Sequence, residues 1–235
     1  MGRAEATTGL LARVEPRRVG AALGRRARLA RIALAALRIR LSQGRSDKGA
    51  AAATAQKGGE RRRAKAADSG LITPEYQELN QQMHREREGY GVQAQYHLTP
   101  VKMLVRAVSD DVLDYGCGKR LLEKGLGVPI QNYDPGLPGL DDAPEPADVV
   151  VCLDVLEHIE PDLIDQVLAD LGRVTRRAGY FTVSTIPARK ELPDGRNAHL
   201  IVEPPEWWQQ RMERHFKVRL RLDEWDHATF VVEPR

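Results

Sequence analysis

The stretch Val112-Leu113-Asp114-Tyr115-Gly116-Cys117-Gly118 carries most of the fold information in this chain. A short apolar run ends in an acidic residue and a Gly-x-Gly turn, which is typical of a β-strand followed by a nucleotide-binding loop. Glycine is needed there because a ligand's polar groups must approach the backbone with no Cβ in the way. The turn alone is also compatible with a dehydrogenase, so the residues that follow must show which class of nucleotide-binding protein this chain resembles.

A second acidic residue follows at the spacing of a βαβ unit. Asn132-Tyr133-Asp134-Pro135 comes after the apolar stretch Val128-Pro129-Ile130, and Asp134 lies 20 residues beyond Asp114. In doubly wound folds, an acid at the end of the second strand hydrogen-bonds the ribose hydroxyls of the ligand. The spacing therefore predicts that Asp134 binds a ribose.

A third motif runs from Asp148 to Ile159, where a buried-strand pattern leads into Asp154-Val155-Leu156-Glu157-His158. In this order and spacing, the three motifs resemble those of class I S-adenosylmethionine (SAM)-dependent methyltransferases, from roughly Pro100 to Glu233. The resemblance implies an α/β fold: a three-layer, Rossmann-like, mostly parallel sheet with an antiparallel C-terminal hairpin. It also implies SAM as the cofactor and methyl transfer as the reaction.

The same resemblance implies which residues border SAM. The glycine turn would lie at the methionine end, the second acid at the ribose, and the Asp-Val pair of the third motif beside the donor. The implied set is Asp114, Gly116, Cys117, Gly118, Asp134, Pro135, Asp154 and Val155.

The chain departs from the family pattern at two places. Arg120 occupies the third glycine position, so the following helix is expected to pack differently. Residues 135–147 fill the interval in which the family has a helix and a third strand, and they are rich in proline and glycine. We therefore predict that the third strand is shortened or missing, with Asp141 or Asp142 near the adenine amine. These departures leave open an alternative function, that of a SAM-fold binding or scaffold protein without catalysis.

Charge divides the chain into two parts. Residues 1–67 hold 17 Lys and Arg against 4 Asp and Glu, whereas the remainder holds 19 against 29. The first part also lacks aromatic residues, so it is expected to contribute no packed core. We predict a basic Ala/Arg-rich arm at residues 1–68, disordered or partly helical. Residues 69–235 are predicted to form the methyltransferase domain, with residues 69–98 as an N-terminal helix or lid.

Apolar residues in the arm fall on two nearly opposite helical faces, one with Leu23, Leu34, Leu37 and Leu41, the other with Leu29, Ile32 and Ile39. A surface-bound helix needs one broad apolar face and a spanning helix about 20 apolar residues, so we predict neither. Nucleic acid is then a partner only through the charge of the arm. Without a secretory signal, a cytoplasmic location is expected. The oligomeric state is left open.

The residues predicted to act on the acceptor follow the fourth and fifth strands of the family pattern. His158 lies just past the Asp154 loop, and His158 and His199 are the candidate catalytic bases because histidine titrates near neutrality. Arg196, Asn197 and His199, together with His97, are the candidate acceptor-binding residues. The acceptor itself is left unassigned among small molecules, glycans and nucleotides.

A metal site is the alternative interpretation of Asp154, Glu157, His158 and His199. Asp-x-x-Glu-His is similar to the metal-binding Glu-x-x-Glu-His of small-RNA 3′-terminal 2′-O-methyltransferases and of some quinone-pathway O-methyltransferases. Such ligands suit Mg²⁺ or Mn²⁺ polarising an acceptor hydroxyl. Because Leu-Glu-His is also found in many metal-free members of the superfamily, the expectation is an enzyme without a metal.

Overall fold

The computed structural model describes residues 16–43, 70–87 and 94–235, with side chains described from residue 24 onward. A single turn of 3₁₀ helix, Leu156–His158, follows the third strand. The other elements, in chain order, are α1 (Pro16–Ser42), α2 (Pro74–Glu86), α3 (Ala94–Val108), β1 (Val112–Tyr115), α4 (Leu121–Leu126), β2 (Gln131–Tyr133), β3 (Ala147–Leu153), α5 (Ile164–Val174), β4 (Thr175–Ser184), α6 (Pro205–Met212), β5 (Phe216–Asp223) and β6 (His227–Pro234).

The strands form one six-stranded sheet in the order β2-β1-β3-β4-β6-β5. The first four are parallel, whereas β6 runs antiparallel to both β4 and β5. Alternate strand residues face opposite sides, so each face has its own core: Leu104 of α3 packs on one, Leu168 of α5 and Trp208 of α6 on the other. This three-layer arrangement confirms the predicted fold class.

The segment between β2 and β3 adds no strand, so β2 is an edge of the sheet. Its backbone turns back on itself instead, with the amide of Asp134 donating to the carbonyl of Leu140 at 2.8 Å. Asp141, at 6% exposure, accepts from the amide of Gly139 within this turn. The predicted loss of the third strand is therefore confirmed.

Arg120 begins α4 in the left-handed conformation, with φ of 56°. Its guanidinium is half exposed and pairs with Glu123 at 2.6 Å. The third glycine would permit close approach of this helix to the strand. A different close approach is found at Gly125, where a Cβ would lie 2.2 Å from Leu98 of α3. The packing thus differs as expected, while the first two glycines keep their places.

Helix α1 corrects the expectation that the arm contributes no core. Ile32, Ala35, Ala36 and Ile39 are at most 4% exposed and pack with α3 and one face of the sheet. Alanine makes this possible, because small side chains let a helix approach closely without aromatic residues to fill space. Residues 1–15 and 44–68 of the predicted arm, and residues 69 and 88–93 of the predicted N-terminal helix or lid, lie outside the described residues. Among those described, no helix is both long and apolar enough to cross a membrane.

Helix α2 lies over the carboxyl ends of the parallel strands. Thr73 caps it by accepting from the amide of Tyr76 at 3.2 Å, and the Thr73 hydroxyl donates to Glu160 at 2.6 Å. Gln77 then donates to the carbonyl of Pro135 at 2.6 Å. These bonds hold the helix against the edge where ligands bind in parallel α/β sheets.

Candidate active site

A cavity of about 520 Å³ opens at the carboxyl ends of the parallel strands, beneath α2. Its wall comes from the turns after β1, β2 and β3, the loop after β4, helix α2 and the start of α3. All eight residues implied to border SAM line this cavity: Asp114, Gly116, Cys117, Gly118, Asp134, Pro135, Asp154 and Val155. Their contact with SAM stays a prediction.

The glycine turn is fixed by the neighbouring strand. The amides of Gly116 and Cys117 donate to the carbonyl of Tyr133 at 2.7 and 3.0 Å. Gly116 has φ of +80°, and a Cβ there would lie 2.4 Å from the side chain of Val155. A larger residue at 116 would therefore disturb the wall of the cavity as well as any ligand in it.

Asp134 ends β2 with its carboxylate clamped by backbone. One oxygen accepts from the amide of Gly118 and the other from Gly136, both at 2.9 Å. Burial raises the pKa of this carboxyl, and nearby His84 of α2 acts in the opposite direction. Because each carboxylate oxygen has a second lone pair, both can still accept a ligand hydroxyl.

Asp114 is only 3% exposed at the end of β1. Its burial, and then the charges of Asp134 and Glu123, raise its pKa to about 8. The carboxyl therefore keeps its proton over much of the neutral range when no ligand is bound. A cationic group beside it would favour the charged form and lower this pKa.

Asp154 turns the chain as it leaves β3. Its φ is 51°, a left-handed conformation that aspartate tolerates better than most residues. Its carboxylate accepts from the hydroxyl of Thr182 at 2.6 Å, and its amide donates to the Thr182 carbonyl. This turn directs the following Leu-Glu-His segment toward the cavity.

His158 and His199 meet edge to face, with ring centroids 4.9 Å apart, as the neighbouring positions of their two strands predict. Their Nδ1 atoms lie 2.7 Å from the carbonyl of Ala198 and 2.6 Å from that of Ile186. Donation from Nδ1 to a carbonyl places the lone pair of each neutral ring on Nε2. Burial and the neighbouring His199 lower the pKa of His158 to about 4, so it is neutral at neutral pH.

Glu157 is completely buried beside this pair. One carboxyl oxygen accepts from the amide of Ser184 at 2.9 Å, whereas its Oε2 has no hydrogen-bond partner among the described residues. Burial, and then the charge of Asp154, raise its pKa well above the usual value. Glu157, His158 and His199 offer ligand atoms within 4.8 Å of one another. Asp154 is not part of this group, which corrects its place in the four-residue metal alternative.

The structure separates the predicted acceptor loop into two kinds of residue. His199 lines the cavity, whereas Arg196 and Asn197 do not. The Asn197 oxygen accepts from the amides of Ala188 and His199 at 2.9 Å, so it holds the loop and positions His199. Arg196 is half exposed and pairs with Asp194 at 2.7 Å. The Arg196 guanidinium also lies 6.0 Å from the ring centroid of Tyr76, which lines the cavity. Acceptor binding by Arg196 and Asn197 stays a prediction.

The opposite wall of the cavity contains His97 together with residues that sequence reasoning missed. His97 has its Nδ1 3.3 Å from the Tyr180 hydroxyl and its ring 6.3 Å from that of His227. Burial is the main cause that lowers the His97 pKa. Asp226 and His227 reach the cavity because β6 begins opposite the end of β4, with His227 paired to Ser184. The predicted antiparallel C-terminal hairpin was the sequence feature that could have identified Asp226 and His227, since this pairing returns the hairpin turn to the same edge of the sheet.

No family model and no curated protein sequence matches this chain. Solved structures do. The chain is similar to 1,6-didemethyltoxoflavin-N1-methyltransferase from Burkholderia thailandensis, solved with 1,6-didemethyltoxoflavin and S-adenosylhomocysteine: identity is 17%, the TM-score 0.46, and 68% of this chain and 89% of that one are covered. It is also similar to the N-methyltransferase NodS from Bradyrhizobium japonicum WM9 in complex with S-adenosylhomocysteine, at 15% identity and TM-score 0.47, covering 67% and 98%.

A third similar structure is magnesium protoporphyrin IX methyltransferase from Synechocystis PCC 6803 with bound S-adenosylhomocysteine. Here identity is 15% and the TM-score 0.43, with 61% of this chain and 84% of that one covered. At these values the likeness carries no conclusion about this chain, whose fold and function rest on its own strand order and site. The strand order, the glycine turn after β1 and the antiparallel C-terminal pair give the chain a Rossmann-like fold, as the sequence resemblance implies.

Proposed function

We propose that this protein is a SAM-dependent methyltransferase. Its acceptor either fits inside the cavity or inserts one end into it. The observation that carries the proposal is the pair of buried acids, Asp114 and Asp134, at the ends of adjacent parallel strands beside the glycine turn. A ribose and a cationic amino-acid end are the groups that such a pair suits. SAM contains both.

Asp134 is the proposed ribose ligand. Its two oxygens, held by the amides of Gly118 and Gly136, are fixed before the ligand arrives, so little ordering is needed on binding. The protonated Asp114 would ionise when the cationic donor enters, since opposite charge favours the carboxylate. The turn at Gly116 leaves room for the ligand beside the backbone.

Methyl transfer from a sulfonium is an in-line displacement: the acceptor atom forms a bond to the methyl carbon as the carbon–sulfur bond breaks. Because the donor's positive charge already activates it, positioning supplies much of the catalysis. A base is needed only for an acceptor that must lose a proton. We assign that proton to the His158–His199 pair, whose Nε2 atoms carry the lone pairs. The pKa of His158 is lowered to about 4. The ring is therefore neutral at neutral pH and can accept a proton, but it is a weak base.

The size of the cavity supports a small acceptor. Its volume of about 520 Å³ falls within the range of small-molecule sites, about 300–1,000 Å³, and the donor must share it. A small molecule, a nucleotide or the end of a glycan fits this requirement better than the body of a folded protein.

The test is incubation of the protein with methyl-labelled SAM and a cell extract, followed by separation of nucleic acid, protein and small molecules. We expect label in the small-molecule fraction, and none with the Asp134→Ala variant. Tight SAM binding without label in any fraction would support the alternative of a non-catalytic scaffold. Absence of SAM binding in the parent protein would overturn the proposal itself.

Metal-assisted O-methylation is a second candidate, favoured by one observation: the buried Oε2 of Glu157 has no hydrogen-bond partner among the described residues. The two nearby imidazoles donate their Nδ1 protons to backbone carbonyls, which is how metal-binding histidines are commonly oriented. A Mg²⁺ or Mn²⁺ ion on Glu157, His158 and His199 would polarise an acceptor hydroxyl.

Two measurements separate this candidate from the metal-free enzyme. Mn²⁺ binding to the purified protein, followed by electron paramagnetic resonance, should be lost in Glu157→Gln if the site holds a metal. Turnover should then fall with chelator and return with Mg²⁺ or Mn²⁺. Turnover that is insensitive to chelator would exclude the metal-assisted reaction.

A further inference from the structure

Helix α1 has an outward-facing row of leucines that the described part of the fold leaves largely exposed. Leu34, Leu37 and Leu41, here called the outer stripe, are 49%, 45% and 72% exposed. Ile32 and Ile39, on the opposite face of the same helix, are completely buried. Of the two apolar faces that the sequence contains, packing therefore accounts for only one.

The outer stripe differs from the other exposed apolar residues of the described chain. Tyr96, Val128, Val202 and Trp225 are each exposed singly, in separate parts of the chain. Isolated exposed apolar residues are ordinary, whereas a continuous row marks a surface that meets a partner. Positions 34, 37 and 41 are neighbours along one helical face, so the three side chains form such a row.

Arginines flank this row. Helix α1 contains eight arginines and no acidic residue. Arg31 and Arg38 line a shallow groove with Leu34, and the groove continues onto Arg219 and Leu220 of the edge strand β5. Arg219 pairs with Glu233, so the positive charge of this surface comes mainly from α1 itself.

We propose that the outer stripe docks the protein on the surface of an anionic phospholipid bilayer. The leucines would enter the boundary between headgroups and acyl chains, while lipid phosphates meet Arg31 and Arg38. The joint presence of leucine and arginine favours this occupant. A nucleic acid would use the arginines but leave the leucines in water.

The structure also explains why the outer stripe is enough for this role. An isolated helix with two opposite apolar faces would be a poor surface binder, because either orientation leaves one face in water. Here the sheet and α3 cover the inner face, so α1 presents only the outer stripe and its arginines. Docking from a folded surface needs no further ordering of the helix.

The test is co-sedimentation of the full-length protein with vesicles of phosphatidylcholine and phosphatidylserine, against vesicles of phosphatidylcholine alone. We expect binding to the mixed vesicles only. Leu37→Ser with Leu41→Ser should weaken it at least about tenfold through lost apolar burial. Arg31→Gln with Arg38→Gln should weaken it by about thirtyfold. Val202→Ser, which removes an exposed apolar residue elsewhere, is the matched control and should bind like the parent.

Three outcomes would overturn the proposal. The first is no binding of the parent to mixed vesicles. The second is binding that the leucine variant retains in full, which would indicate a purely electrostatic contact such as nucleic acid makes. The third is self-association of the parent that the leucine variant abolishes, since the outer stripe would then bind a second copy of this chain. Circular dichroism of both variants should match the parent, because these residues are exposed.

Discussion

The two halves of the cavity are built in different ways. The proposed donor half rests on Asp114, the glycine turn and Asp134, which lie within 20 residues of one another and are tied by backbone hydrogen bonds. The proposed acceptor half brings together His97, His158, His199 and His227 from four separate segments. Local spacing therefore describes the first half, whereas the second exists only once distant strands have paired.

The halves also differ in what supports them. The donor half lies on β1 and β2, at one edge of the sheet. The proposed acceptor half is built from α3, from the segments that follow β3 and β4, and from the start of β6. Helix α1 packs beside β6, where Arg28 donates to Thr229 at 2.9 Å and pairs with Glu224 of the preceding turn. A segment that composition sets apart from the domain thus supports the half of the site whose substrate is unassigned.

The largest effect should come from removing that support. Ile32→Ala with Ile39→Ala deletes two fully buried side chains, and we expect the free energy of unfolding to fall by at least about 4 kcal/mol. Leu41→Ala, at an exposed position of the same helix, should change it by less than about 0.5 kcal/mol. Chemical denaturation measures both. Equal effects of the two changes would show that α1 does not pack as described.

Loss of His199 should affect the acceptor half alone. His199→Ala should lower turnover about a hundredfold, the usual contribution of a general base, if the acceptor loses a proton. SAM affinity should be unchanged within a factor of two or so, because His199 does not contact Asp114 or Asp134. Steady-state kinetics and calorimetry on the same preparation test this. A parallel fall in SAM affinity would mean that the two halves are not independent.

The reciprocal change is Asp134→Ala. It removes the proposed acceptor of two ribose hydroxyls, so SAM should bind at least about tenfold more weakly, or about 1.4 kcal/mol. Asp134→Asn is the matched control for shape. Gly116→Val is a less specific test, because its side chain would also meet Val155. Unaltered SAM affinity in Asp134→Ala, measured by calorimetry, would falsify the donor-half assignment.

The smallest effect, over the single unit from pH 7 to 8, is a pH dependence of donor binding. The pKa of Asp114 is raised to about 8, so below pH 8 a proton must leave before the carboxylate can meet the cationic donor. SAM affinity should therefore rise with pH up to about 8, by at most about tenfold per unit. Asp114→Asn should remove the part of this slope that exceeds the donor's own titration. The same slope in the variant would assign it to another group.

The raised pKa of Asp114 affects stability in the opposite direction from donor binding: it makes the free energy of unfolding fall as the pH rises. Because the pKa is raised on folding, the native chain still holds a proton between pH 4 and 8 that the unfolded chain has already released near pH 4. This contribution to the free energy of unfolding therefore decreases as the pH rises through that interval. Bound donor should offset the decrease, since it favours the charged form.

Several features followed from the sequence because they depend on short-range rules. The glycine turn requires positive φ at Gly116, an acid 20 residues beyond Asp114 suits the second strand, and proline and glycine after Asp134 exclude a regular third strand. The meeting of His158 with His199 was predictable as well. Parallel neighbouring strands deliver their carboxyl ends to one edge.

Other features were decided only by tertiary structure. The two apolar faces of α1 are alike in sequence, and only packing against α3 and the sheet makes Ile32 core while Leu34 stays outside. Asn197 has the composition of a ligand-binding residue, but its amide is taken up by backbone groups of the loop. His227 enters the cavity through the pairing of β6 with β4. Periodicity fixes which residues share a face, whereas the burial of that face depends on surfaces contributed from far along the chain.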